Sequence, residues 1–147
     1  MISLNHTRKL SQNALACWCD ILVQNPNSGL IVVTSEATEA DNHNHFNSRL
    51  VDHGFPMDRV SLVPRLSMLE YMNVASVADF ALDSFPVSGG VTTLHALWMG
   101  LPVLTMTPET AIAMQTYSGN TLRLVGLHDC VTGSNQEVVA RAAEWIR

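Results

Sequence analysis

The chain has 147 residues, and 47% of them are hydrophobic, so its length fits one domain with a sizeable core. The formal net charge of -5 argues against a general binder of nucleic acid or of membrane surfaces, because both need a basic field. An odd number of cysteines, three, predicts reduced thiols in the cytoplasm, and no signal peptide or apolar run of transmembrane length is seen.

Residues 1–34 predict a strand, a helix and a second strand. Residues 1–4 are expected to end a strand and to lead into a polar loop that holds the isolated Lys9. Ser11 is predicted to cap the next helix, which ends before Pro26. Residues 29–34 form a continuous apolar run, typical of a strand buried on both faces in a parallel sheet. The apolar helix positions recur at helical spacing: Leu15, Trp18, Ile21 and Leu22.

Residues 35–82 continue the alternation. The polar segment 35–53 predicts a helix with a narrow apolar stripe, and Gly54 stands where a helix C-terminus favours glycine. Residues 59–64 predict a strand, 67–76 a short helix, and 80–82 another strand. The side chains that we expect to pack from these two helices are Phe46, Leu50, Val51, Leu69, Met72 and Val74. Cys17, Trp18 and Trp98 are also expected in the core.

The most informative stretch is 79–107, which reads as strand, glycine-rich turn, helix and strand. Asp83 follows the first strand, Gly89 and Gly90 lie in the turn, and residues 91–99 predict a short amphipathic helix. Adjacent glycines let backbone amides approach an anion, and a helix N-terminus adds unpaired N–H groups and the positive end of a dipole. This pattern predicts a phosphate site. The alternative is a purely structural turn, since such turns are common in α/β domains.

The remaining residues predict a helix within 109–125, a short apolar step at Cys130 and Val131, and a final helix from Asn135 with Val138, Ala142 and Ile146 on one side. Strands and helices thus alternate throughout, which predicts an α/β, Rossmann-like, doubly wound parallel sheet. Ligands of such sheets bind beyond the carboxyl ends of the strands. We therefore expect Lys9, residues 64–66 and residues 83–93 to converge at one edge.

Other polar groups predict no second site. Asp41, His43 and His45 are read as a solvated helix face, because histidines two apart on a helix do not face together to bind a metal. Asp83 is expected to orient the loop through its amides rather than to act in acid/base catalysis. Ser88 lacks the pattern of a nucleophile elbow.

Three segments are familiar: SLNHTRKLSQNALACWCDIL, RVSLVPRLSMLEYM and LDSFPVSGGVTTLHALWMGLPVLT. They resemble the O-linked N-acetylglucosamine transferase family, including its bacterial and SPINDLY-like members, in the right order over nearly the whole chain. The resemblance implies the C-terminal, nucleotide-sugar-binding Rossmann-like domain of a GT-B glycosyltransferase. Such an enzyme inverts configuration as it moves N-acetylglucosamine from UDP to Ser or Thr hydroxyls of proteins.

The resemblance also implies an organisation. Residues 1–147 are expected to form one UDP-sugar-binding domain, a fragment without the N-terminal Rossmann-like half and the terminal helices. The acceptor protein would be held only with that other half, so we expect the isolated chain to be inactive. We also expect an exposed apolar strip at the domain interface and, through it, self-association. A UDP-sugar is the expected partner, without a metal or other cofactor, and neither nucleic acid nor membrane is expected to bind.

Matching by motif places candidate site residues. Lys9 falls on the family lysine that approaches the donor pyrophosphate, where an ammonium stabilises charge on the UDP leaving group. The family's phosphate loop falls on Gly89, Gly90, Val91, Thr92 and Thr93. Uracil contacts fall near Tyr71 and the backbone of Arg65 and Leu66, and His6 takes the place of a polar donor contact. The alternatives are a solvated Lys9, a structural turn, a Tyr71 that fills the core, and an ordinary exposed His6.

One departure from the family pattern is informative. His95 stands where the family carries a carboxylate that accepts hydrogen bonds from the ribose hydroxyls, and a neutral imidazole accepts only one. Residues 107–120 also lack the basic residue expected near the start of their helix. A second function therefore stays open: a non-catalytic nucleotide or nucleotide-sugar binding module of the same fold.

Overall fold

The computed structural model describes residues 1–33, 40–64 and 66–146, with the backbone alone for residues 40–43. Within these residues, six strands alternate with six helices. The strands are β1 (Ile2–Ser3), β2 (Leu30–Val33), β3 (Val60–Val63), β4 (Ala81–Leu82), β5 (Val103–Met106) and β6 (Val131–Thr132). The helices are α1 (Gln12–Gln24), α2 (Ala40–Asp52), α3 (Met68–Ala75), α4 (Val91–Trp98), α5 (Ala113–Leu124) and α6 (Asn135–Ile146).

The strands form one sheet in the order β3-β2-β1-β4-β5-β6, and every neighbouring pair is parallel. This confirms the predicted doubly wound, Rossmann-like α/β fold. The strand order reverses between β1 and β4. The crevice beyond the carboxyl ends of these two strands is therefore where such a sheet binds ligands.

Apolar side chains of the sheet alternate between two buried layers, as the period of two in a strand requires. In β4, Leu82 belongs to one cluster together with Phe80, the residue before the strand, and Ala81 belongs to the other. The first cluster packs against α1, α2 and α6, and the second against α3, α4 and α5. Two-sided coverage explains why the sequence of β2 is apolar throughout.

Helix α1 begins and ends as its sequence requires. Ser11 Oγ accepts a hydrogen bond from Ala14 N at 3.1 Å and donates one to Phe85 O at 2.7 Å. At the other end, Gln24 is the last helical residue, two before Pro26. The predicted apolar positions are buried, including Leu15 and Trp18. This cap attaches the segment after β1 to the segment after β4.

Trp98 was predicted to lie in the core, and that prediction is wrong, because its side chain is 86% exposed. Helix α4 buries Thr93 and Ala96 instead. Their small side chains let the helix lie close to the sheet, and the helical period then directs position 98 to another side.

Three further core predictions are wrong: Val51, Leu69 and Met72 are exposed. In α2, Phe46 and Leu50 suffice for the buried stripe. In α3, the side that packs against the core carries Tyr71, Val74 and Ala75. A short helix with apolar residues on several sides gives no periodicity that identifies this face.

Candidate functional site

The residues after β1 lie against the glycine-rich loop after β4. A single 3₁₀ turn, Thr7–Lys9, follows β1 and leaves Lys9 half-buried. Its Nζ donates a hydrogen bond to Ser88 O at 3.0 Å. Lys9 is the only lysine of the sequence. The predicted meeting of Lys9 with the loop of residues 83–93 is thus found at the point where the strand order reverses.

Asp83, the residue after β4, organises the inner side of the loop. Its carboxylate is 1% exposed. Oδ1 accepts hydrogen bonds from Gly89 N at 2.8 Å and from Asn5 Nδ2 at 3.1 Å, and Oδ2 accepts one from Thr105 Oγ1 at 2.7 Å. Burial raises the pKa of Asp83, and the hydrogen bonds from Thr105 and Gly89 oppose that rise. The prediction that Asp83 orients the loop through an amide is confirmed.

Position 89 has no room for a side chain. A Cβ there would lie 2.5 Å from Thr93 Oγ1 and 2.7 Å from Asp83 Oδ1. The loop therefore passes closer to the helix than any other residue would allow. This close approach brings the loop backbone onto the N-terminus of α4.

Helix α5 holds the loop from the other side. Ser118 Oγ lies 2.8 Å from Thr93 Oγ1 and donates to Gly89 O at 3.2 Å. Ser88 Oγ donates to Met114 O at 3.2 Å. The loop is thus fixed between two layers rather than free in solvent.

At the N-terminus of α4, backbone amides rather than threonine hydroxyls are available to bind a ligand. Gly90 is the N-cap and supplies no side-chain cap, so the first helical N–H groups depend on other acceptors. Thr92 Oγ1 donates to Asn5 Oδ1 at 3.0 Å, and Thr93 Oγ1 is paired with Ser118. Both threonine hydroxyls of the segment that matches the family's phosphate loop are therefore engaged within the protein. The exposed start of the helix at Val91 is left with its backbone donors and its dipole.

An apolar cavity of about 300 Å³ lies between α3 and α4. The rings of Tyr71 and His95 meet there edge to face, with centroids 5.8 Å apart. Burial raises the pKa of Tyr71 to about 12. Within the part of the chain that the structure describes, its buried hydroxyl has no hydrogen-bond partner. The lining residues are Met68, Tyr71, Met72, His95, Trp98 and Met99.

The other candidates are dispersed. His6 is exposed, and its Nδ1 accepts from Arg8 N at 3.3 Å. Leu66 packs against the second core cluster, and Arg65 lies outside the described residues. The side chains of Asp41 and His43 also lie outside them, and His45 is exposed. Among the residues described, no cluster of three His, Cys, Asp or Glu is placed to hold a metal ion.

Three residues of the loop's support were missed by sequence reasoning: Asn5, Thr105 and Ser118. Asn5 directly follows the residues predicted to end the first strand, so its place at the carboxyl edge was a usable signal. Thr105 and Ser118 carried no such signal, because their partners are 22 and 25 residues away in the sequence.

None of the described helices is both long and apolar enough to cross a bilayer. The longest are the 13-residue helices α1 and α2, shorter than the roughly 20 residues that a span needs.

Comparisons with known proteins agree with one another. The model of Glycosyl transferase family 41 matches residues 1–145. Proteins named "Probable UDP-N-acetylglucosamine--peptide N-acetylglucosaminyltransferase SPINDLY" from Oryza sativa subsp. japonica and Solanum lycopersicum are 32% and 31% identical over 143 residues. Each match covers 97% of this chain and 15% of the relative.

A solved structure gives the same result. The structure of a mutant O-GlcNAc transferase from Thermobaculum terrenum superposes with a TM-score of 0.92 at 26% identity, over 99% of this chain and 28% of that one. The chain thus spans a small part of the proteins it matches. Because the family model extends over nearly the whole sequence, the chain belongs to glycosyl transferase family 41.

Proposed function

We propose that this domain binds the donor of a UDP-N-acetylglucosamine-dependent protein O-glycosyltransferase. The diphosphate would lie between Lys9 and the N-terminus of α4, and the acceptor would be a protein. Family membership and the names of the relatives support this assignment.

The observation that carries the proposal is the position of Lys9. Its ammonium lies 3.0 Å from Ser88 O, at the start of the loop that leads into α4. A lysine and a helix N-terminus in one crevice give an anion both a formal charge and backbone donors. This local positive site also explains how a chain of net charge -5 would bind a diphosphate.

The nucleoside would extend from the diphosphate towards the cavity between α3 and α4. His95 lies one turn beyond Val91, so the helix itself connects the proposed phosphate site with the cavity. An apolar cavity lined by the Tyr71 ring suits the flat face of a base. The uracil contact of Tyr71 stays a prediction, since the ring also packs against the second core cluster.

Titration of the chain with UDP and with uridine tests the phosphate site. The parent should prefer UDP, and Lys9→Ala should weaken UDP binding roughly tenfold to hundredfold, or about 1.5 to 3 kcal/mol, through loss of a charge-assisted contact. Uridine affinity should not change. Arg141→Ala is the matched control, because it removes one positive charge from α6, where the guanidinium pairs with Glu144 at 3.2 Å. Equal binding of UDP and uridine by the parent would exclude the proposed site.

A non-catalytic nucleotide-sugar module is the second candidate, and His95 favours it. This imidazole stands at the position of the expected ribose carboxylate and packs against Tyr71. Glycosyl transfer by a longer form of the protein that contains this domain would exclude the module, provided that Lys9→Ala abolishes the transfer.

A further inference from the structure

The glycine-rich loop and the segment after β1 are joined by a buried group of hydrogen-bonded side chains. Asp83 and Asn5 are 1% and 4% exposed. They bond to each other, and each bonds to a different part of the loop and helix: Asp83 to the amide of Gly89, and Asn5 to the hydroxyl of Thr92.

We propose that Asp83 and Asn5 act together as a positioning unit that sets the distance between Lys9 and the N-terminus of α4, so that one diphosphate meets both. This inference rests on the proposed function. Asn5 lies four residues before Lys9, the last residue of the short turn Thr7–Lys9. Its bonds to Asp83 and Thr92 therefore fix the base of the segment that carries the lysine.

The unit also decides which amides face the ligand. The amide of Gly89 is turned inwards to Asp83, so it is not a phosphate donor. The donors that remain are those at the uncapped N-terminus of α4, after Gly90. A Cβ at position 89 would lie 2.7 Å from Asp83 Oδ1. The carboxylate and the loop backbone are therefore packed too closely for the loop to shift towards Asp83. Thr105, which donates to Asp83 Oδ2 at 2.7 Å, anchors the unit to β5.

The test measures the ratio of UDP affinity to uridine affinity. Asp83→Ala and Asn5→Ala should each lower this ratio by roughly tenfold, through a displaced phosphate site, while uridine affinity stays near that of the parent. Asp83→Asn should restore most of the ratio, since the side-chain amide keeps an acceptor for Gly89 N, and its NH₂ group can donate to Thr105 Oγ1, which reverses the direction of that hydrogen bond. Thr132→Val is the control for destabilisation alone. It removes the buried bond to Thr105 O at 2.9 Å without touching Asp83, and the ratio should not change.

Hydrogen exchange at the Gly89 amide supplies a readout that needs no ligand. Protection is expected in the parent and in Asp83→Asn, and its loss in Asp83→Ala. If Asp83→Ala fails to fold, Asn5→Ala carries the test. Parental ratios in folded Asp83→Ala or Asn5→Ala would overturn the inference, as would an unprotected Gly89 amide in the parent. A parent that shows no preference for UDP, with Gly89 protected, would overturn the proposed function and with it this role of the unit in binding.

Discussion

His95 occupies the position where the resemblance implies a carboxylate, and its ring packs on Tyr71 at the edge of the cavity. Replacing it with glutamate supplies two acceptor oxygens for the two ribose hydroxyls. We expect His95→Glu to bind UDP more tightly, by about 1.5 to 3 kcal/mol before repulsion by the diphosphate is subtracted.

The ligand 2',3'-dideoxy-UDP is the control for His95→Glu, because it lacks both hydroxyls and should remove most of the gain. Equal titrations of parent and folded variant with UDP would show that His95 packs on the helix and meets no ligand.

The buried carboxyl of Asp83 makes a prediction about pH. Burial raises its folded-state pKa above the ordinary value of 3.8, so the folded protein keeps a proton that the unfolded chain releases. Stability from this group therefore falls as the pH rises from 3.8 through the raised pKa. The side chain of Asp83→Asn does not titrate. The free energy of unfolding of this variant, minus that of the parent, should therefore increase with pH over this range.

Urea unfolding of both proteins across a pH series measures this difference, in which the carboxylates that the two proteins share largely cancel. A difference that is constant with pH, or that falls, would contradict a raised pKa.

Among the elements, α1 depends on a residue far along the chain. Arg59 Nη1 donates to Asn25 O and Ser28 O, both at 3.0 Å, and Nη2 donates to Leu22 O at 2.9 Å. The guanidinium thus satisfies Leu22 O in the last turn of the helix and ties it to the turn that follows, in which Asn25 O also accepts from Ser28. Sequence reasoning assigned Arg59 only to the start of a strand.

Arg59→Ala should lower the free energy of unfolding by about 1 to 3 kcal/mol, because it removes the donor to the partly buried carbonyls of Leu22 and Ser28. Arg59→Lys should recover part of the loss at most, since one ammonium cannot reproduce the planar fork. Arg141→Ala, which breaks a surface pair with Glu144, should cost less than about 1 kcal/mol. Denaturant unfolding compares the three variants, and equal losses at positions 59 and 141 would refute the capping role.

At the scale of the whole molecule, the strands that the structure describes form a six-stranded sheet whose order reverses between β1 and β4. We expect this polypeptide to bind UDP but to transfer no sugar, because transfer requires donor and acceptor to be held in reacting geometry. Incubation with UDP-N-acetylglucosamine and candidate proteins, followed by mass spectrometry, measures this. Glycosylation that depends on Lys9 would contradict the expectation.

Most of the fold was predictable from local patterns. The starts of α4 and α6 match the sequence prediction, because apolar runs, caps and glycine or proline stops act over a few residues. Which faces of α3 and α4 are buried was not predictable. Both helices have eight residues, too few turns for a clear apolar stripe, and exposed Leu69 and Trp98 resemble core residues.

The sequence by itself determined the alternation of strands and helices, the glycine-rich turn after Asp83 and the family. Tertiary structure decided that Lys9 meets Ser88 and that Asn5 and Asp83 join beneath the loop. Parallel strands that are neighbours in the sheet can lie far apart in the chain, as β1 and β4 do. Contacts across 78 and 79 residues have no local pattern to announce them, since hydrogen bonds and burial act through space.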